Sequence, residues 1–365
     1  MMYVLVFSIL LWVVLLTGFL FLLKSTAQHT RLPLKNKKTI LLIAVRNEEK
    51  NLPALFVSLE KLIFPTDNFE VWFGNDRSED TSEVLIQAFC AKHSYAKFLN
   101  ITHDLPGIQA KQNVLAQLIN KSQNADYYLV TDADITHHSN WAVELVSEMH
   151  QRQLGVVSGI TIVNGNGYFA KLQGLDWLFS ATFLKVFADL KMPITAIGNN
   201  MGFTNEAYKR AGGYENLPFS VTEDFLLFAA ILKAGFKQGF ILNVFSANIS
   251  APASDVKTWF RQRKRWLTGG LSTPWYTLLL IVLFVLSNIL SVFVLVFYVN
   301  KFTISLLVLK TLIEISWLIK SSTIIQQRNL LLYIPFYYFY VVFSAIFLPV
   351  YFILPGKINW KGRNL

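Results

Sequence analysis

The stretch "VTDADITHHSNW", residues 130–141, decides how the rest of the chain is read. Tyr127, Tyr128, Leu129 and Val130 form the end of an apolar run of the kind that fills a buried strand. That run stops at two carboxylates, Asp132 and Asp134, one residue apart. Carboxylates this close repel unless a positive charge lies between them. A polar turn after a strand would account for them, since Asp is common in turns. A hard divalent cation, Mg²⁺ or Mn²⁺, would account for them too, because such ions take oxygen ligands and are held by one or two carboxylates plus phosphate oxygens. His137 and His138 lie close by; either could be a ligand, but surface loop histidines are the simpler expectation for both.

Working outward, strand-like and helix-like stretches alternate over residues 39–250. "TILLIAV", "FEVWFGN", "KFLNIT", "DYYLVTDAD" and "GVVSGITIV" read as strands. Between them, "EEKNLPALFVSLEKL", "SEDTSEVLIQAFCAKH" (with Ser78 or Asp80 placed as its cap), "AKQNVLAQLINK" and "SNWAVELVSEMHQ" read as helices. Such alternation implies a mostly parallel sheet covered by helices, and these sheets bind ligands beyond the carboxyl ends of their strands. "AVRNEE", "GNDRSEDTS" and "TDAD" all fall at strand ends, so the fold gathers them on one rim.

Two further clusters follow. In "VTEDFLLFAAILKAGF", residues 221–236, Glu223 and Asp224 open a helix that Gly235 ends. Acidic residues there stabilise the helix dipole, and one of them could equally serve as a general base. In "VKTWFRQRKRWLTGG", residues 256–270, Val256, Trp259, Phe260, Trp266 and Leu267 recur at helical spacing among five cations. This is an amphipathic helix for a membrane surface, where an Arg can clamp a diphosphate and a Trp face can stack on a sugar.

Composition supports a membrane setting. Charged residues make up 15% and hydrophobic ones 53%, against a usual charged share of about 25%. Residues 2–23 carry no charge and are long enough for roughly 30 Å of hydrocarbon; without a basic start or small-residue cleavage site they read as an uncleaved anchor. Lys24, Arg31, Lys35, Lys37 and Lys38 follow, which places the rest of the chain in the cytoplasm. Further spans are expected at 276–299, 302–319 and 330–354, the middle one weakened by Lys310 and Glu314, which can pair at i,i+4. Three spans would put Lys357, Lys361 and Arg363 outside; a middle segment lying along the interface would return the tail to the cytoplasm. The three-span reading is favoured. The net charge of +10 fits basic membrane flanks better than nucleic acid, for which no motif is present. Cys90 is the only cysteine, so no intrachain disulfide is possible.

In order along the chain, "AVRNEE", "NDRSED", "AKQN", "DAD", "TED" and "QRKRW" resemble the motif set of the membrane-bound family 2 glycosyltransferases, the branch with ceramide glucosyltransferase and the cellulose, chitin and hyaluronan synthases. The resemblance covers residues 38 to about 270 and the flanking spans. It implies an anchor at 1–24, a GT-A domain (a Rossmann-like α/β fold with a mostly parallel sheet) at 38–253, an interfacial helix at 254–272 and transmembrane helices within 276–354.

Residue roles follow from the same resemblance. Ala44, Arg46 and Glu48 would line the nucleotide pocket with Asp76, whose neighbour Asn75 stands where the family has a second acid. Lys111, after Ala110 in place of the family's Gly, would meet the nucleotide-sugar together with Asp132. Asp134 would be the main metal ligand. Gly198, Asn199 and Asn200 would shape the acceptor pocket with Glu223, and Asp224 would be the base. Gln262, Arg265 and Trp266 would hold the diphosphate and acceptor.

The implied activity is inverting, metal-dependent transfer from a UDP-sugar to a lipid hydroxyl, at the plasma membrane if the source is bacterial. Polysaccharide synthesis is the alternative; with these few spans it would need a homo-oligomer or a membrane partner to form a channel. A polyprenyl-phosphate sugar transferase typically lacks the motif at Gln262 to Trp266. An inactive scaffold or nucleotide-sugar sensor would share the fold but lack turnover.

Overall fold

The computed structural model describes residues 2–28, 34–66, 68–270, 273–354, 359–360 and 363–364. Arg31, Lys357 and Lys361 of the expected basic flanks, and residues 271–272 of the expected interfacial segment, lie outside the described residues.

The strands of the two larger sheets are β1 (Lys38–Val45), β2 (Asn68–Asn75), β3 (Ala96–Asn100), β4 (Tyr127–Asp132), β5 (Ile135–His137), β6 (Val156–Gly159), β7 (Thr161–Val163), β8 (Met201–Thr204), β9 (Gln238–Ile241) and β10 (Asn248–Ser250); a short pair, Asn359–Trp360 and Arg363–Asn364, lies near the C-terminal end. The helices are α1 (Met2–Leu22), α2 (Leu52–Glu60), α3 (Ser82–Lys92), α4 (Ala110–Lys121), α5 (Trp141–Arg152), α6 (Tyr168–Asp189), α7 (Asn205–Arg210), α8 (Glu223–Lys233), α9 (Val256–Gly270), α10 (Trp275–Phe297), α11 (Lys301–Ile324) and α12 (Ile334–Ile353).

Seven strands form the main sheet in the order β3-β2-β1-β4-β8-β6-β9. Only β8 runs against its neighbours. The sheet is therefore mostly parallel, as the alternation implied, and apolar on both faces: Leu41, Ile43, Val71 and Leu129 fill one core, Ile40, Leu42, Tyr128 and Phe203 the other. Register sets Ala44 beside Asp132 and Val45 beside Asn75, so the polar clusters do meet on one rim.

"GVVSGITIV" is not one strand. β6 belongs to the main sheet, whereas β7 joins a second sheet, β5-β10-β7. The break falls at Gly159 and Ile160. A Cβ on Gly159 would sit 2.6 Å from the Asn200 side chain, and that side chain takes the Ile160 carbonyl at 2.8 Å. The cap of α3 also differs. Thr81 occupies the capping position; Asp80 accepts from the Ser82 N–H at 3.0 Å, while the Ser78 hydroxyl accepts from Asn47 instead.

The apolar ends come together beside the sheet. Three helical stretches, Trp275–Phe297, Lys301–Ile324 and Arg328–Ile353, are long and apolar enough to cross a membrane. The last begins as a 3-10 turn, Arg328–Tyr333, before α12. α11 starts one residue before the expected 302–319, at a capping box of Asn300 and Thr303, and runs five residues past it, to Ile324. It is not a surface helix: Leu306, Lys310, Glu314, Trp317 and Leu318 are buried. Lys310 and Glu314 pair at 2.9 Å, Lys310 also donates to Asn288 Oδ1 at 3.0 Å, and the α1 indole of Trp12 donates to Glu314 at 2.9 Å. These groups satisfy one another inside the bundle.

α6, 22 residues long, has no counterpart in the sequence reading and joins bundle to sheet. Leu175, Leu178 and Phe179 share a core with Ile160, Phe240, Trp259, Trp317 and Tyr337. Trp317 Nε1 donates to Thr182 Oγ1 on α6 at 2.9 Å.

Candidate active site

Lys111 is the hub of the rim. It lies in the first turn of α4, and its ammonium lies 2.6 Å from Asp132 at the end of β4 and 3.0 Å from Glu223 at the start of α8. Burial alone would favour the neutral amine, but Asp132, Glu223 and Asp224 outweigh it and raise the Lys111 pKa. One cation thus links three of the stretches singled out above. Ala110, just before it, has φ +54, a left-handed conformation that glycine adopts without strain.

Asp224 lies beside this hub. Gly198 N–H donates to its Oδ2 at 2.9 Å and Phe225 N–H to its Oδ1 at 2.8 Å. Burial and the charge of Glu223 push it up to about 6, against the pull of Lys111 and those two donors. Nothing larger than glycine fits at 198, since a Cβ would lie 2.4 Å from Asp224 Oδ2.

Asp134 is exposed at the mouth of the site. Desolvation by the surrounding cleft and the charge of Asp132 push it up to about 6, while Lys111 and Arg265 act the other way. Among the described residues no group of three His, Cys, Asp or Glu forms a closed metal site. Two adjacent carboxylates, one already raised by the other's charge, fit a hard divalent ion whose remaining positions go to water or phosphate oxygens. The histidines do not join them. His137 is not in a surface loop: it lies in β5, stacked on Trp141 with ring centroids 4.3 Å apart, and burial lowers its pKa to about 4. His138 Nδ1 accepts from the Asn140 N–H.

At the other end of the rim, Arg46 is turned inward, donating to the carbonyls of Asp76 at 2.7 Å and Arg77 at 3.1 Å. Glu48 Oε2 accepts from Asn51. Ala44 is half-buried beside Asp132. Asp76 is fully buried and accepts from Arg77 Nε at 3.0 Å, and Arg77 reaches on to Asp104 at 2.5 Å. Asn75, where the resemblance leads one to expect an acid, donates to Glu83 and Asn100, so its amide ties β2 to α3 and β3.

α9 closes the site from the bundle side. A Cβ on Gly269 would meet Thr222 Oγ1 at 2.4 Å, which shows how closely this helix rests on the start of α8. Gln262, Arg265 and Trp266 are half-buried on it. Trp266 lies 4.9 Å from Trp177 of α6, and the Arg263 guanidinium sits 4.8 Å above the Trp266 ring while ion-paired to Asp176. Tyr340 of α12 donates to the same Asp176 at 3.2 Å. Sequence reading missed Trp177 and Asp176 because α6 carries no motif. It also missed Gln112, whose amide holds the Tyr214 carbonyl at 3.1 Å and the Ser220 N–H at 3.1 Å, although Gln112 follows Lys111 on the same helix turn.

The model of Glycosyl transferase family group 2 matches residues 128–354, and that of Glycosyl transferase family 2 matches residues 40–212. Probable glycosyltransferase YdaM of Bacillus subtilis (strain 168) is 25% identical over 243 residues, 64% of this chain and 55% of that protein. The chain thus spans about half the length of that curated relative. Among solved structures, mannosyltransferase PcManGT from Pyrobaculum calidifontis, in complex with GDP-Man and Mn²⁺, aligns with a TM-score of 0.57 at 13% identity, over 92% of this chain and 99% of that one. This likeness concerns the fold, which is of the GT-A type. S. aureus TarS 1-349 in complex with UDP-GlcNAc aligns at 0.43 and 14% identity, over 84% of this chain and 90% of that one.

Proposed function

Because the chain belongs to glycosyl transferase family group 2, we propose that this family 2 glycosyltransferase moves a sugar, with inversion, from a nucleoside diphosphate sugar to a hydroxyl of a lipid acceptor. The observation that carries the reading is the Lys111 hub, which brings Asp132, Glu223 and Asp224 to one point at the strand ends. Asp224 takes the proton from the acceptor hydroxyl; a carboxylate raised to about 6 is a stronger base than an ordinary one and still ionised at neutral pH. The acceptor oxygen attacks the anomeric carbon in line as the bond to the diphosphate oxygen breaks. A single displacement inverts that centre.

The leaving nucleoside diphosphate is where charge develops, and preorganised cations placed there are worth several kcal/mol. Arg265 fills that role, with Lys111 holding the Asp132 carboxylate beside the donor. A Mg²⁺ or Mn²⁺ ion held by Asp134 and Asp132 would supply Lewis-acid stabilisation of the same oxygens. The Pyrobaculum neighbour, whose complex contains GDP-Man and Mn²⁺, makes such a donor and ion reasonable here. Arg77, held from behind by the buried Asp76, would meet the nucleoside, with UDP as the first nucleotide to try, and Trp266 the acceptor.

A lipid acceptor is favoured because α9 is packed against apolar helices. Trp259 and Phe260 meet Tyr340, Phe343 and Tyr351 of α12, so an acceptor in the bilayer would reach the site from its own side. In this reading the bundle holds the protein in the membrane and the GT-A domain faces the cytoplasm.

The test incubates membranes containing the protein with Mn²⁺ and a panel of radiolabelled sugar nucleotides, with Asp224→Asn as control. Label in the organic extract that disappears with Asp224→Asn is the expected result and identifies the donor. Label confined to high-mass material would overturn the lipid acceptor in favour of a polymer. Undiminished label with Asp224→Asn would overturn the role of Asp224.

A further inference from the structure

No side chain of the Gly198–Asn200 segment reaches the candidate base. What reaches it is a main-chain N–H, and a main-chain N–H can aim a carboxylate only if its peptide is held. The hold begins as a tight turn: the Asn200 N–H returns to the Ile197 carbonyl at 2.8 Å, leaving Gly198 and Asn199 at the corners. The Ile197 N–H donates to Ser158 Oγ at 3.1 Å. Asn200 anchors the far side, donating to the carbonyls of Ile160 and Ser246 and accepting from Trp141 Nε1 at 2.8 Å.

The Asn199 corner is gripped from outside. Its carbonyl accepts from Asn248 Nδ2 at 2.8 Å and from Thr131 Oγ1 at 3.1 Å. Its side-chain oxygen accepts from Thr161 Oγ1 at 2.6 Å. Asn248 is itself fixed at its other end. It lies opposite His137 where β10 pairs with β5, and its Oδ1 is 2.8 Å from His137 Nδ1. With the Asn248 NH₂ spent on a carbonyl, its oxygen faces the ring, which assigns the imidazole proton to Nδ1. A line of contacts therefore runs from His137, three residues beyond Asp134, through Asn248 and the turn to Asp224. Asn248 is fully buried, so it touches no substrate.

We propose that Asn248, backed by His137, is a positioning residue for the transfer: it orients the Ile197–Asn200 turn so that the Gly198 N–H holds Asp224 in line with the acceptor. The proposal rests on Asp224 being the base. Fixing the β5–β10 pair and the base to one network also keeps the carboxylates of the Asp132–Asp134 turn and the base at a constant separation.

The test is a cycle of Asn248→Ala, Asp224→Asn and the double variant, assayed in membranes for kcat, donor KM and the pH profile. Misplacement remote from the chemistry costs up to about 100-fold. The expected result is a fall in kcat of about 10- to 100-fold for Asn248→Ala with donor KM nearly unchanged. The acid limb of kcat/KM should move to higher pH, because the Asp224 carboxylate loses a well-aimed donor. Added to Asp224→Asn, Asn248→Ala should cost nothing further. Equal losses in both backgrounds, or an unshifted acid limb, would overturn the proposal. Thr131→Val removes the other grip on the same carbonyl at almost constant volume. It should give the same signature on a smaller scale, and it keeps the question open to refutation should Asn248→Ala fail to bind donor. Full activity in Asp224→Asn alone would sink the base assignment, a result distinct from any outcome of the cycle.

Discussion

The Lys111 ammonium lies 3.0 Å from Glu223, joining helix starts that are 112 residues apart in the chain (223 − 111). Without it, Asp132, Glu223 and Asp224 would face one another uncompensated. Breaking a buried ion pair costs about 3–5 kcal/mol. Lys111→Ala should therefore lower the melting temperature in detergent by several degrees, besides reducing turnover to about 1% or less as the cationic support of the donor site is lost. A variant that loses activity at unchanged melting temperature would show that Lys111 serves the donor alone.

Asp224 sets the expected pH dependence. Its carboxyl is raised to about 6 in the folded chain, against 3.8 for the free group. As a base it must be ionised, so kcat/KM should fall as pH drops through about 6, which a rate–pH profile reads directly. The stability sign is the reverse. A raised carboxyl contributes stability below its unfolded pKa and loses it as pH rises through its folded one. Asp224→Asn should then melt higher than the parent at pH 8, and that advantage should vanish near pH 4. An advantage that grew toward acid would contradict the shift.

Gly198→Ala would place a methyl 2.4 Å from Asp224 Oδ2. Either the turn or the carboxylate must move, so turnover should drop about 100-fold. Donor KM should change little, because the donor-side residues lie at the ends of β1, β2 and β4 and on α4 and α9, not on this turn. Kinetics with saturating acceptor would separate this from a general loss of folding.

Ala110 sits at φ +54, where an alanine costs about 1–2 kcal/mol relative to glycine. Ala110→Gly should raise the melting temperature and leave turnover within about twofold. A loss of activity would mean that the strained peptide is needed to hold Lys111 in place.

In the bundle, Glu314→Leu alone should be strongly destabilising, since it strands the buried Lys310 charge and the Trp12 indole. Paired with Lys310→Met it should recover most of the loss, because an apolar pair replaces an ion pair with little net change. Thermal unfolding in detergent of the single and double variants reads the difference. If the double variant were stable but inactive, the pair would have a role in turnover beyond joining helices.

The rim was legible in the sequence because each central strand is an apolar run that ends abruptly at polar residues. Val130 gives way to Asp132, and Phe73 to Asn75 and Asp76. Register does the rest, since parallel neighbours of similar length end at the same level. The Lys310–Glu314 pair was legible for a like reason: four residues on a helix is one turn. The split of "GVVSGITIV" was not, because β-branched residues on both sides of Ser158 and Gly159 look the same whether they serve one sheet or two, and the bend depends on Asn200, 40 residues on. α6 was missed because its apolar residues face both the sheet and the bundle, which erases the one-sided periodicity of a surface helix. His137 was taken for a loop residue for want of its cover, a strand more than 100 residues away. Arg46 shows the complementary limit: its place at the end of β1 was foreseen, but its direction, inward to the carbonyls of Asp76 and Arg77, follows from sterics that spacing does not encode.

The contact between Trp12 and Glu314 has a consequence for how the protein is made. Its two partners are 302 residues apart. At a synthesis rate of about 5–20 residues per second, α1 waits on the order of tens of seconds before α11 exists to receive it. Through that interval its indole N–H has no carboxylate, while β1 through β9 are complete and free to fold. Closure of the helix bundle is therefore a late event of biogenesis, and the tie between Thr26 and Leu242, formed in the interim, keeps α1 beside the sheet until its partners arrive.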